Sequence, residues 1–217
     1  MALPEQKIRR RLPRKERERL IIDEAVRFFA EVGFEGQTRA LAQRLGVTQP
    51  LLYRYFPDKE SLIERVYEEV FIGGWDSAWD ALITDRSRPL VDRVIDFYAE
   101  YSRANSSYER VRLFLFAGLK EPALANRYLA FIRDHLFVPL AKEIRAEAGM
   151  PEDTPTDAEI ECVAGLHGAV GYIGTRRWVF QAPVPTDTAA IQTEIIASFL
   201  IGAPAAFRTL SKAGAAE

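Results

Sequence analysis

The sequence predicts an all-α protein of about nine helices, with a small three-helix module at the N-terminus and a larger helical domain after it. Three observations carry this. Apolar residues recur at helical spacing in nearly every segment, no segment alternates with period two for long enough to be a strand, and Gly33, Gly46 and Pro57 stand where short helices must stop.

The elements follow in order. Residues 1–13 are basic, contain Pro4 and Pro13, and read as an arm. Ile21, Ala25, Phe28/Phe29 and Val32 give a first helix over 14–32, closed by Gly33. Leu41, Ala42 and Leu45 give a second over about 37–45, broken by Gly46. A third covers about 49–55, with Thr48 as its N-cap and Pro50 in the first turn. Asp58 caps a long fourth helix running from Lys59 to about Leu82, with Phe71, Trp75 and Trp79 spaced by four. Further helices are expected from near Pro89, over about 106–119 and over about 122–148. The next is opened by the capping box Thr156–Glu159 and the last by Thr186 or Asp187. The expected division is arm 1–13, module 14–61 and second domain 62–217.

Composition excludes several classes. At 48 % hydrophobic, the 217 residues can build a core. No stretch approaches about 18 consecutive apolar residues, so no membrane partner is expected. The basic start has no apolar run, so no secretory signal is expected. The lone Cys162 suits a reducing, cytoplasmic setting, and with only His135 and His167 beside it a zinc site is not expected, nor any other metal or cofactor. The small net charge of −2 hides an asymmetry. Residues 1–60 hold 13 Lys/Arg against 9 Asp/Glu, while the remainder holds 16 against 22. A basic front on an acidic body fits a polyanion-binding module on a larger domain, or simply a solvated charged face.

The informative stretch is 37–56, a helix, a glycine turn and a second helix. Leu41, Ala42, Leu45, Val47, Leu52 and Phe56 can bury against Ile22, Val26 and Phe29. That leaves Arg39, Gln49, Pro50, Tyr53, Arg54 and Tyr55 outside, a face explained by docking in a DNA major groove. There Arg and Gln offer base-edge hydrogen bonds, Pro and Leu touch thymine methyls, and Tyr hydroxyls reach phosphates.

These residues resemble the TetR (tetracycline repressor) family. The match runs from about Arg17 to Leu62 and includes Ala25–Phe29, Gly33-Phe34, Thr38, Leu41-Ala42, Leu45-Gly46-Val47, Leu52–Phe56 and Lys59–Leu62. The resemblance implies a homodimer on a near-palindromic operator in double-stranded DNA, usually a repressor released by a small-molecule effector. It carries over DNA contacts to Thr38, Arg39, Gln49, Pro50, Tyr53, Tyr55 and Lys59, with Arg39, Gln49 and Pro50 at bases and Thr38, Tyr53, Tyr55 and Lys59 at phosphates; Thr48 and Arg54, on the same stretch, are expected at the DNA with them. Two positions depart from the family pattern. Gln37 stands where a Thr or Ser usually caps the second helix. Leu51 stands where a small or polar residue is usual, and we expect it in the groove. The Arg9-Arg10-Arg11 run is expected to attract phosphates in general rather than read a sequence.

The second domain holds 18 aromatic residues, most of which must be core. Trp75, Trp79, Phe97, Tyr101, Phe114, Tyr128, Phe131 and His135 are rich enough to line a cavity for an apolar or planar ligand, with His135 and Arg112 as polar anchors. Gly165, Gly168, Gly171 and Gly174 recur every three residues in one helix, at a cost of about 1 kcal/mol each against Ala. Close helix approach would offset that cost. The expected dimer contacts are Gly165, Gly168, Tyr172, Ile191, Ile195 and Phe199, while some of the four glycines face the cavity or mark a bend.

No catalytic residues are expected. Helical Glu-x-x-His and His-Glu-x-x-His spacings, Gly-x-Ser-x-Gly and a phosphate loop are all missing from the sequence. The alternatives to a ligand-released regulator are a dimeric DNA-binding protein without a ligand and, further off, an all-helical enzyme.

Overall fold

The computed structural model describes residues 13–214, and among them every regular element is helical. The expected arm, apart from Pro13, lies outside the described residues. Contacts divide the chain into two compact units, Met1–Val66 and Tyr67–Glu217.

In the first unit, α1 (Arg14–Val32) buries Ile21, Ile22, Ala25, Phe28 and Phe29 against Leu41 and Ala42 of α2 (Thr38–Arg44) and Leu52 of α3 (Gln49–Tyr53). Gly46 makes the turn between α2 and α3 at φ +63°, a conformation an L side chain rarely adopts. Gly36 is needed for a different reason, because a Cβ there would lie 2.6 Å from the Phe28 ring and from Val32. α4 (Lys59–Tyr67) opens on a reciprocal cap: the Ser61 N–H donates to the Asp58 carboxylate at 2.7 Å, holding that carboxyl below its usual range.

The fourth helix is shorter than its periodicity predicts. After Tyr67 comes a π-helical turn (Glu68–Ile72), then a break at Gly73-Gly74, and only then α5 (Ala78–Thr84). Two adjacent glycines cost too much helix stability for the apolar spacing to override. Trp75 therefore sits in a connection and only Trp79 on a helix.

The second unit continues with α6 (Leu90–Asn105), α7 (Tyr108–Lys120) and α8 (Pro122–Ile132). A π-helical turn (Arg133–Phe137) joins α8 to α9 (Val138–Glu147), and α10 (Asp157–Trp178) and α11 (Ala189–Gly214) follow. α6 packs on α5 and α11, and α10 on α7, α9 and α11. The Thr156–Glu159 capping box is present in full, and Asp187 accepts from the Ala189 N–H near the start of α11. Thr48 and Gln37 hold N-cap positions without a side-chain cap bond. Two buried ion pairs tie helices together: Arg93 of α6 to Glu143 of α9 at 3.0 Å, and Arg145 of α9 to Glu159 of the next helix, α10, at 2.7 Å. By length and composition α11 could cross a membrane, over Ala189–Ser211. Only 17 % of that window is buried within the chain, so its apolar surface is largely uncovered in a single copy.

Candidate nucleic-acid interface and candidate ligand cavity

In the first unit, α2 and α3 bring Thr38, Gln49 and Tyr53 together. The Gln49 amide nitrogen donates to the Thr38 hydroxyl at 2.9 Å, and that hydroxyl lies 2.9 Å from the Tyr53 hydroxyl. Thr38, expected at a phosphate, is itself buried, and its hydroxyl forms a brace across the turn. The brace fixes the Gln49 rotamer and leaves its carbonyl oxygen as the free acceptor. Arg39, Thr48, Pro50, Tyr53 and Arg54 are exposed, while Leu51, Tyr55 and Lys59 are partly covered. The Arg14 guanidinium lies over the Tyr55 ring, 5.9 Å from its centre.

Ion pairing sorts the arginines of this unit. Arg27 pairs with Glu24 at 2.7 Å, and Arg44 with Glu31 at 2.8 Å. Among the described residues Arg39 and Arg54 have no acidic partner, so their charge is free for an incoming polyanion.

In the second unit a cavity of about 350 Å³ lies among α6, α7, α8 and α10. Of the residues expected to line it, Tyr101, Phe114 and Tyr128 do so. Trp75, Trp79, Phe97, Phe131 and His135 instead pack on one another beside it, with ring centres 4.2–6.1 Å apart, and Phe97 is fully buried. Arg112 faces the Tyr108 and Phe116 rings and the Trp178 carbonyl. The cavity-lining arginine is Arg110, two residues away and so roughly 200° round the helix.

The sequence reading also missed Tyr98, Asn105 and His167 as lining residues. Tyr98, Tyr101 and Asn105 form an i, i+3, i+7 stripe on α6, a signal of one face but not of what that face meets. The Tyr101 and Tyr128 hydroxyls are 2.5 Å apart, and His167 Nδ1 is 3.4 Å from the Tyr98 hydroxyl. Burial pushes the Tyr98 and Tyr101 hydroxyls well above their usual pKa and pushes the His167 imidazole down to about 4. All three are neutral near pH 7.

A stability test follows from His167. In the unfolded chain its pKa is near 6.5, so from there down to about 4 the unfolded state binds more protons and stability falls as pH drops. The loss is on the order of 3 kcal/mol when complete. Urea unfolding of His167→Phe is expected to show a shallower decline between about pH 7 and about pH 4.5. Identical slopes in both proteins would refute a buried neutral imidazole.

The glycines of α10 divide by facing. A Cβ on Gly174 would meet Val111 of α7 at 3.1 Å, whereas one on Gly165, Gly168 or Gly171 would meet nothing. Gly168 and Gly171 border the cavity, and Tyr172 beside them is 55 % exposed. Ile191 is exposed on α11, and Ile195 and Phe199 are partly so.

Residues 21–66 match the family model described as bacterial regulatory proteins, tetR family. No curated protein matches the chain by sequence. Among solved structures, a TetR-family regulator from Streptomyces coelicolor superimposes with a TM-score of 0.63 at 20 % identity, covering 90 % of this chain and 85 % of that one. A TetR-like regulator from Rhodococcus sp. RHA1 gives 0.63 at 17 %, covering 90 % and 99 %. AmtR of Mycobacterium smegmatis gives 0.59 at 21 %, covering 96 % and 98 %. The N-terminal unit thus carries a helix-turn-helix that matches the tetR family of bacterial regulatory proteins over residues 21–66, and the chain as a whole carries the fold of TetR-family regulators.

Proposed function

We propose that this protein is a homodimeric repressor that leaves a near-palindromic operator when a small, largely apolar or aromatic molecule enters the cavity of its second unit. The observation that carries the DNA half is the pair of acid-free arginines, Arg39 and Arg54, beside a braced Gln49 on the exposed face of α2 and α3. The cavity supports the ligand half. Phe71 lines it and belongs to the π-helical turn that directly continues α4, which supports a route from ligand to module.

Selection of bound DNA from a random pool tests the proposal. The expected product is two half-sites about one DNA turn apart, bound with a salt slope of about −0.9 per phosphate contact. Enrichment of no sequence, or affinity indifferent to salt, would remove it.

The uncovered apolar face of α10 and α11 supports the dimer. There Gly165→Ala is decisive. If a partner helix approaches that backbone, the added methyl weakens dimerisation at least tenfold in sedimentation experiments. If no partner does, the chain simply gains about 1 kcal/mol of helix stability and its assembly is unchanged.

A further inference from the structure

We propose that the cavity takes a small apolar or aromatic monocarboxylate, with Arg110 as the residue that binds its carboxylate. This rests on the reading of the cavity as a ligand site and assigns the class of ligand.

Of the residues lining the cavity, Arg110 alone carries a charge near pH 7, since none is acidic and His167 is neutral. Among the described residues Arg110 has no carboxylate partner. Its guanidinium lies over the Phe71 and Tyr128 rings, at 4.9 and 5.9 Å from their centres, and donates to the backbone carbonyls of Val70 and Phe71. These contacts use two of its five N–H donors. A partly buried guanidinium with no anion carries a desolvation cost that an anionic ligand would offset, and its fork matches a carboxylate.

Neighbouring groups add donors. The Ser102 hydroxyl is buried without a partner. The Tyr101 and Tyr128 hydroxyls share a single short hydrogen bond, which leaves one of their two protons undirected. Ionised carboxylates accept only, at about four sites, and so suit such a wall. The remaining lining is mostly aromatic and aliphatic, among it Phe114, Leu115, Ile132 and Phe137. The volume of about 350 Å³ would hold about a dozen waters, and so an organic acid of roughly that many heavy atoms.

The same contact bears on release. Arg110 now holds the carbonyl end of the turn that continues α4. A carboxylate that draws the guanidinium toward the cavity weakens that hold.

The test uses two frameworks with three head groups each: 1-naphthoate, 1-naphthol and 1-naphthylmethylammonium, and octanoate, octanol and octylammonium. Thermal shifts of the full chain without DNA report binding. At least one carboxylate is expected to bind tenfold or more tightly than its alcohol and its ammonium analogue. Arg110→Met is expected to abolish that preference, and Arg110→Lys to keep part of it. The wild-type comparison stands even if the Met variant misfolds. Equal or tighter binding of the alcohols would overturn the carboxylate assignment while leaving the cavity as a ligand site. Binding of none of the six would overturn both, without touching DNA recognition. Operator release is measured separately, so a carboxylate that binds without releasing DNA supports the ligand class and defeats only the switch.

Discussion

Glu159→Ala is expected to lower the unfolding free energy by about 3–5 kcal/mol, the usual cost of breaking a buried ion pair from one side. Glu159 is fully buried at the first turn of α10 and does two things there. Its carboxylate accepts from Arg145 at 2.7 and 3.0 Å, and also from the Thr156 N–H at 2.7 Å. Removal takes away the reciprocal half of the capping box and leaves the Arg145 guanidinium, itself buried, with the Pro151 carbonyl and the exposed Asp153. In a unit of this size the drop in Tm is on the order of 10 °C. Glu159→Gln is expected to cost less, because an amide oxygen can still accept from the Thr156 N–H. A loss below about 1 kcal/mol in chemical denaturation would show that Arg145 finds another anion or water at little cost.

Arg39→Ala and Gln49→Ala are each expected to weaken binding to the selected operator by about 1–3 kcal/mol, roughly 5- to 150-fold, with the loss confined to one base pair per half-site. The brace from Gln49 to Thr38 makes the second expectation more specific. With its nitrogen engaged, Gln49 presents a carbonyl oxygen, and the base it reads must donate: the N6 amino group of adenine or the N4 amino group of cytosine. A binding-site profile of each variant checks this. Uniform weakening over all sequences would move both residues to the DNA backbone, and a guanine O6 or N7 contact at Gln49 would mean that the brace opens on binding.

Where the physics is local, the sequence was readable. α1 occupies the predicted residues because its apolar spacing and Gly33 act within a few residues of each other. The Thr156–Glu159 box and the Asp58 cap are likewise short-range hydrogen bonds, and both form as expected. In the module, Leu41, Ala42, Leu52 and Phe56 are buried and the arginine-bearing face is left outside, because one helix-turn-helix admits few ways of hiding those side chains.

The second unit was decided by tertiary structure. Periodicity marks Trp79, Phe97 and Tyr101 as one kind of residue, yet Trp79 and Phe97 are sealed in a packed aromatic cluster while Tyr101 lines the cavity. Arg110 and Arg112 differ little in sequence context, and only the rotation of α7 in the bundle turns one inward and the other toward Tyr108 and Phe116. The pairing of Arg93 with Glu143, fifty residues apart, leaves no local mark on either segment. So the sequence by itself determined most of the helices, the caps at Asp58 and Thr156 and the helix-turn-helix module, because these depend on neighbours within a turn or two, while the break at Gly73-Gly74 cut the expected fourth helix short. Which side chains surround a cavity, which glycines of α10 meet Val111 and which stand open, and which arginine remains without an acid depend on how distant helices are rotated against one another, and only the assembled fold sets that.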